Sequence, residues 1–288
     1  MILSALKRIF SYKFHVRGLM NPFIGLQISS LKDYPGVTEE KRDVPVVVSL
    51  TSYSERFKDL PIALYSLLNQ SLKPDRIILW LSNEHKEINN LPYEITQFIK
   101  NGLEIRFVKD IGSYTKAIYA FKEYSDSIIV TADDDIYYPK DWLKKLYLSY
   151  IAHPEDIQVH RAHRANLELS YEKWEKHVNE ESARFDNFLT GVGGVLYPIN
   201  CFSNEVLRED IFLKYCPKAD DVWLWVMALV QNRKIRVVKN HIKTLTCVNI
   251  IKQLLKDNLY KENRQDGNDM QIKNLMRLYG RNIINKLN

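Results

Sequence analysis

Three consecutive carboxylates stand directly after an apolar run, in Thr131-Ala132-Asp133-Asp134-Asp135-Ile136-Tyr137-Tyr138-Pro139. Such a triple repels itself unless something cationic compensates. In extended chain Asp133 and Asp135 point the same way, which suits them to a hard divalent ion such as Mg²⁺ or Mn²⁺. The competing reading is a solvated acidic turn that caps a helix starting near Pro139. A second acidic pair lies in Ala219-Asp220-Asp221-Val222-Trp223, with Asp220 at a helix N-cap position and Asp221 in the first turn. Capping and dipole compensation would contribute about 0.5–2 kcal/mol, yet two adjacent acids exceed what a cap requires. A carboxylate at a pocket rim also serves as a general base toward a hydroxyl, and the helix dipole is expected to keep this one ionised.

Cations accompany these acids. Arg56 closes the run Thr51-Ser52-Tyr53-Ser54-Glu55-Arg56, and Lys116 ends Gly112-Ser113-Tyr114-Thr115-Lys116. Either suits a diphosphate; surface solvation is the plainer alternative. His160-Arg161-Ala162-His163-Arg164 is a dense cluster that faces an acceptor, a phosphate or only solvent, and it lacks the ligand spacing of a zinc site. A phosphate-cradling G-x-x-x-x-G-K-[ST] loop and a G-x-G-x-x-G turn are both absent from the sequence. An EF-hand would need a glycine and a distant Glu that this acidic run lacks. A dehalogenase-like phosphatase would place its acids after the first strand, not the fourth.

The elements that must hold these residues follow from the apolar runs. Val46–Leu50, Ile77–Leu81, Leu103–Val108 and Ser127–Thr131 read as buried strands, separated by helices at 60–68, 92–101 and 115–124. Continuous apolar strands alternating with helices mean a mostly parallel, helix-covered α/β sheet. Ligands bind such sheets at the carboxyl ends of the strands, where the acidic triple falls. Beyond residue 140 the alternation loosens. A helix is expected near 140–152 and a short strand at Val159. Residues 165–190 look like a polar excursion or lid. Gly191-Val192-Gly193-Gly194-Val195-Leu196-Tyr197-Pro198 reads as a glycine-rich loop entering a strand. Val222, Trp225, Val226 and Leu229 mark an amphipathic helix, and Ile235–Val238 another strand.

The 288 residues carry a net charge of +6, unevenly spread: residues 1–32 hold five Lys/Arg and no acid, and 233–288 hold thirteen against four. The body between them is therefore acidic, which argues against a nucleic-acid binder. Three scattered cysteines, Cys201, Cys216 and Cys247, suit a reducing cytoplasm better than a disulfide framework. The expected organisation is a basic extension over 1–43, one α/β domain over 44–240 and a helical basic extension over 241–288. Leu3, Leu6, Phe10 and Phe14 could form an interfacial helix on an anionic membrane or pack on the protein's own body. Asn268-Asp269 reads as a helix cap.

Six segments, in order, resemble the bacterial polysaccharide and lipooligosaccharide glycosyltransferases with a GT-A fold, near the family-2 type. They are VSLTSYSER with SLLNQSLKPDRIILWLS, then GSYTKAIYAFK, DSIIVTADDDIYYP, VHRAHR, TGVGGVLYP and ADDVWLW. The resemblance implies that Thr51, Ser52, Tyr53 and Arg56 cup the nucleotide base and ribose, and that Lys116 approaches the nucleotide or its diphosphate. Asp133 and Asp135 would form the Asp-x-Asp pair, with Asp135 as a direct metal ligand. Asp134 would share a donor-binding role, since the triple leaves the register open by one residue. Gly193 and Gly194 would let backbone approach the donor sugar, and Asp221, with Asp220 beside it, would supply the base of an inverting reaction. The implied activity is metal-dependent transfer from a nucleotide-sugar, of the UDP class, to a glycan or lipid-linked acceptor at the cytoplasmic face of a membrane. A retaining transferase, a nucleotidyltransferase and a non-catalytic glycan- or membrane-binding protein are the alternatives.

Overall fold

A computed structural model describes residues 35–85, 87–242, 246–248 and 267–287; the expected N-terminal interfacial helix lies outside them. Twelve strands follow in chain order: β1 (Val46–Thr51), β2 (Arg76–Ser82), β3 (Leu103–Val108), β4 (Ile128–Thr131), β5 (Ile136–Tyr137), β6 (Ile157–Val159), β7 (Ala162–Arg164), β8 (Ala183–Arg184), β9 (Asn187–Leu189), β10 (Val195–Tyr197), β11 (Ile235–Val237) and β12 (Thr246–Cys247). The principal helices are α1 (Leu60–Leu68), α2 (Thr115–Glu123), α3 (Trp142–Ala152), α4 (Glu209–Tyr215), α5 (Asp220–Val230) and α6 (Asn268–Ile283).

Eight strands form one sheet in the order β3-β2-β1-β4-β10-β6-β11-β8. The pairs β1–β2, β2–β3, β1–β4 and β6–β11 are parallel, whereas β10 runs antiparallel to both β4 and β6, and β8 antiparallel to β11. The chain winds outward from β1 to β3 and then crosses back to β4, so the strand order reverses between β1 and β4. A crevice outside the carboxyl ends of two such strands is where this class of sheet binds ligands. Because β10 is antiparallel, with Val195 opposite Thr131, the glycine loop preceding it arrives at the same end.

Strands β1, β2 and β4 are buried on both faces, as their apolar runs require, whereas β3, at the sheet edge, alternates and leaves Arg106 exposed. The sheet divides two cores. One holds α1 and α3; the other holds α2 and α5. Helices α1 and α5 are buried nearly all round, so beyond its two leading acids α5 is apolar on every side and not only along the expected stripe.

Three expectations change here. Residues 165–190 are not a lid: Trp174, Val178 and Phe188 are buried, β8 forms the sheet edge, and β9 pairs with β7. Burial there rests on a few widely spaced apolar residues, which a polar composition hides. The stretch drawn as a C-terminal extension also contributes to the body. Helix α6 packs on α5, and its Ile272, Leu275 and Ile283 join the core. Asp269 does not cap α6; its Oδ1 accepts a hydrogen bond from the Tyr171 N–H at 2.8 Å, fastening α6 to the 165–190 stretch. Among the described residues no helix is long and apolar enough to cross a membrane.

Candidate functional site

The loop after β1, the acids after β4, the start of α2, the glycine turn before β10 and the start of α5 meet at one end of the sheet. Their backbones are pinned from below. Trp80 Nε1 donates to Ser49 Oγ at 2.8 Å, and Ser49 Oγ donates to the Lys116 carbonyl at 2.5 Å. Thr51 Oγ1 is turned into the sheet, donating to the Trp80 carbonyl at 3.0 Å.

The acidic triple does not cap a helix, because β5 intervenes and α3 starts only at Trp142. Its three members part ways. Asp134 is buried: Ser52 Oγ donates to its Oδ2 at 2.6 Å, and Arg56 donates to its Oδ1. Both oxygens thus bind the β4 loop to the β1 loop, so the shared donor-contact role gives way to an internal brace. That leaves Asp133 and Asp135 as the more accessible, half-buried pair, with side chains 23% and 39% accessible against 6% for Asp134. Asp133 Oδ1 receives Lys116 Nζ at 2.6 Å, and its N–H donates to the buried Tyr138 hydroxyl at 2.8 Å. Asp135 Oδ2 lies 3.0 Å from Arg56. Tyr53, partly exposed, stands with its ring under the Arg56 guanidinium and its hydroxyl 3.0 Å from Arg56 Nε. The antiparallel pair β5–β12, with the Val248 N–H donating to the Asp135 carbonyl at 2.8 Å, straps the loop from outside. No pattern in the sequence announced that strap.

Neither acid of the second pair caps α5, whose N-cap is Ala219. Asp220 Oδ2 lies 3.3 Å from Lys116 Nζ as an ion pair, and Asp221 Oδ1 accepts the Gly191 N–H at 2.9 Å. Lys116 therefore joins carboxylates from two separate elements. Five carboxylates face two cations, Arg56 and Lys116, so full ionisation would leave three negative charges uncompensated.

The ionisation equilibria register that excess. Loss of hydration pushes Asp135 up to about 6, helped by repulsion from Asp133 and opposed by Arg56. The same loss of hydration, with repulsion from Asp220, raises Asp221 to about 8 against the pull of Lys116. The dipole was expected to keep Asp221 ionised; desolvation and a like-charged neighbour outweigh it. Burial alone would lower Lys116, but Asp133, Asp220 and Asp221 overcompensate and hold it charged well above its ordinary value.

The fit to a divalent cation follows from this donor set. Asp133 and Asp135 offer hard oxygens in an anionic crevice that lacks two to three positive charges. Among the described residues no three His, Cys, Asp or Glu side chains converge as a closed metal cage. Mg²⁺-like ions are held by one or two carboxylates together with substrate phosphates, which the Asp133 and Asp135 pair matches.

The glycines have internal reasons. A Cβ on Gly191 would lie 2.8 Å from Asp221 Oδ1, and one on Gly193 would press on Arg161 at 3.0 Å. Gly194 has φ +83°, and its Cβ would enter the Trp142 indole at 2.4 Å, while Trp142 Nε1 donates to the Gly193 carbonyl at 2.8 Å. The close approach that Gly193 and Gly194 permit is thus to Arg161 and Trp142, and Gly191 is the glycine that touches the candidate base. Gly194→Ala is expected to destabilise the fold by about 2 kcal/mol through strain and overpacking, readable as a lower denaturant midpoint with unchanged slope.

The His-Arg cluster disperses. His160 is buried between the Trp142 carbonyl (3.0 Å) and the Ile242 N–H (3.2 Å), and burial lowers it to about 4. His163 accepts the His177 N–H at 3.2 Å. Arg164 pairs with Glu180 and Asp186. Arg161, with the Cβ of His160 beside it, is the part of the cluster that borders the glycine turn.

Residues 48–216 match the family model described as Glycosyl transferase family 2. The chain belongs to that family. This family-2 chain superposes on the mannosyltransferase PcManGT from Pyrobaculum calidifontis, solved in complex with GDP-Man and Mn²⁺, with a TM-score of 0.53 over 96% of this chain and 76% of that one, at 12% identity. That likeness shows the fold, which is GT-A. TarS 1-349 from S. aureus in complex with UDP is similar at a TM-score of 0.44 and 15% identity; the match covers 69% of the family-2 chain and 59% of the TarS chain's length. No curated protein sequence matches it.

Proposed function

We propose that the protein is an inverting glycosyltransferase that moves a sugar from a nucleotide-sugar, of the UDP class, to a hydroxyl of a bacterial surface glycan. The observation that carries this reading is Lys116, whose amine lies 2.6 Å from Asp133 and 3.3 Å from Asp220. It ties the candidate donor-phosphate side of the crevice to the element that bears the candidate base. The Mn²⁺ and GDP-Man in the PcManGT complex support a divalent ion and a nucleotide-sugar in this fold.

Tyr53 and Arg56 receive the nucleotide, the half-open Tyr53 ring offering a stacking face. Asp133 and Asp135 hold the divalent ion, Mn²⁺ or Mg²⁺, which when bound neutralises charge growing on the leaving diphosphate. Lys116, kept protonated by its carboxylates, adds a fixed positive charge on the same side. Asp221 accepts the proton of the acceptor hydroxyl as that oxygen attacks the anomeric carbon and the bond to the diphosphate breaks. Its raised pKa makes it a stronger base than an ordinary carboxylate, suited to work near neutral pH. The Gly191 N–H fixes the direction of its free oxygen. The acceptor is a glycan, free or lipid-linked, met at the cytoplasmic side.

A thermal-shift series with UDP-sugars, with and without Mn²⁺, tests the donor half. A ligand at a hundred times its dissociation constant stabilises the native state by about 2.7 kcal/mol, so the midpoint should rise when sugar and ion are added together. Asp135→Ala should lose the ion-dependent part of that rise. A wild-type protein indifferent to every nucleotide-sugar in the presence of Mn²⁺ would remove the donor assignment, and a product that keeps the donor's anomeric configuration would remove inversion.

A further inference from the structure

Helix α6 buries Ile272, Leu275 and Ile283 and turns its other side outward. On that outer side Lys273, Arg277 and Arg281 are exposed at successive four-residue steps, so they stand in one row along the helix. Large apolar side chains flank the row: Met270 is 59% exposed, Leu278 47% and Ile284, in the turn that continues the helix, 41%. The one acid of the helix, Asp269, is engaged with the Tyr171 N–H. Leu213 and Lys214, both exposed, lie on α4, and the end of that helix is drawn alongside α6 by the Asn274 side chain, which donates to the Tyr215 carbonyl at 3.3 Å.

A single exposed Leu or Met needs no explanation, and an ordinary solvated helix mixes the signs of its charges. This face does neither. It alternates cations with large apolar groups, and the one carboxylate at the same spacing, Asp269 a step before Lys273, is half-buried and held by the Tyr171 N–H. Cations with interleaved aliphatic side chains are the composition of helices that lie in a lipid interface, apolar groups entering the acyl boundary and Lys/Arg at the headgroups. A nucleic-acid face would call for aromatic stacking platforms, and none of the exposed residues along this row is aromatic.

We propose that the outer face of α6 docks the protein on an anionic lipid surface, with Lys273, Arg277 and Arg281 at the headgroups and Met270, Leu278 and Ile284 inserted between them. The docked helix holds the catalytic edge close to the surface. The Lys218 N–H donates to Gln271 Oε1 at 2.9 Å, and residue 218 belongs to the turn that leads into Asp220 and Asp221. A lipid-linked acceptor would then meet the crevice from the surface on which the protein rests. Docking itself does not depend on the sugar-transfer reading.

The test is co-sedimentation of the full chain with vesicles of phosphatidylcholine alone or with phosphatidylglycerol. Each Lys or Arg near an anionic surface strengthens partitioning about fivefold. The triple variant Lys273→Gln, Arg277→Gln, Arg281→Gln should therefore bind phosphatidylglycerol vesicles roughly a hundredfold more weakly. Wild-type binding should also weaken as salt is raised. Leu278→Asn should weaken it separately, because a charge-only contact would not notice that change. All three cation sites and Leu278 are exposed, and unchanged thermal midpoints and nucleotide-sugar shifts confirm that fold and crevice are intact. Equal wild-type binding to neutral and anionic vesicles would overturn the proposal. So would a triple variant that binds like wild type, or a Leu278→Asn variant with full vesicle binding while the wild type holds a DNA duplex as tightly as the vesicles.

Discussion

Asp221→Asn is expected to lower transfer by roughly 10²- to 10⁴-fold, the usual contribution of a positioned general base, while leaving nucleotide-sugar binding in place. The amide keeps the shape and can still accept the Gly191 N–H through its oxygen, but it cannot take a proton. The change should also make the protein more stable, which separates a catalytic loss from a folding defect. Asp221 titrates near 8 in the folded protein against about 3.9 in an unfolded chain. The folded state therefore binds the extra proton throughout that window, and wild-type stability falls as pH rises through it. Asn carries no such cost, so the variant should exceed the wild type in thermal midpoint at pH 8 and converge with it toward pH 4. For the wild type, kcat/KM should rise with pH until Asp221 is deprotonated, and a bound divalent ion, by adding positive charge, should move that limb to lower pH. Near-normal transfer by the Asn variant would show that another group takes the proton.

The parts of the fold written plainly in the sequence are those where one local rule suffices. Strands β1, β2 and β4 are nearly continuous apolar runs because helices cover both faces, and such runs are visible without any knowledge of the partner strands. β10 is different. Val195–Tyr197 is apolar enough to be seen, but its antiparallel direction is set by how the chain returns through residues 160–194, a tertiary fact. The burial of Trp174, Val178 and Phe188 follows neither a two-residue nor a 3.6-residue period, so the stretch passed for a lid. Helix α6 looked peripheral because its apolar residues seemed too few for a core of its own; they complete the core laid down by α5.

In the site, residue types and alternation pointed to the right neighbourhood and left the division of labour open. Alternation pairs Asp133 with Asp135 and isolates Asp134, yet only the positions of Ser52 and Arg56 show that the isolated member is the one turned inward. Asp220 and Asp221 read as caps because capping is a local rule; the Gly191 N–H and Lys116 that claim their side chains come from thirty and a hundred residues away. Glycine content announced a tight turn, but Trp142 and Arg161, the side chains that enforce it, stand well before it in the chain.

Lys116→Met is expected to cost about 3–5 kcal/mol of stability, the penalty for removing one partner from a buried charge cluster. A chain of this size should then melt roughly 10 °C lower. Methionine approximates the length of the side chain, so the loss would come from charge and not from a cavity. The amine is one of two cations among five carboxylates, and its removal leaves Asp133, Asp220 and Asp221 facing one another. The pH dependence identifies the cause. In the wild type Lys116 remains protonated across the neutral range, its folded pKa being raised, so its contribution is complete below the unfolded value of about 10.4. In the variant the remaining carboxylates can relieve their repulsion only by binding protons. The stability deficit should therefore be larger at pH 8 than at pH 5, where Asp221 and Asp135, both already shifted upward, are protonated. A deficit that is the same at both pH values would mean that Lys116 acts through packing of its aliphatic stem. A divalent ion should raise the melting point of the variant more than that of the wild type, since a cation in the crevice then restores charge that the amine no longer supplies.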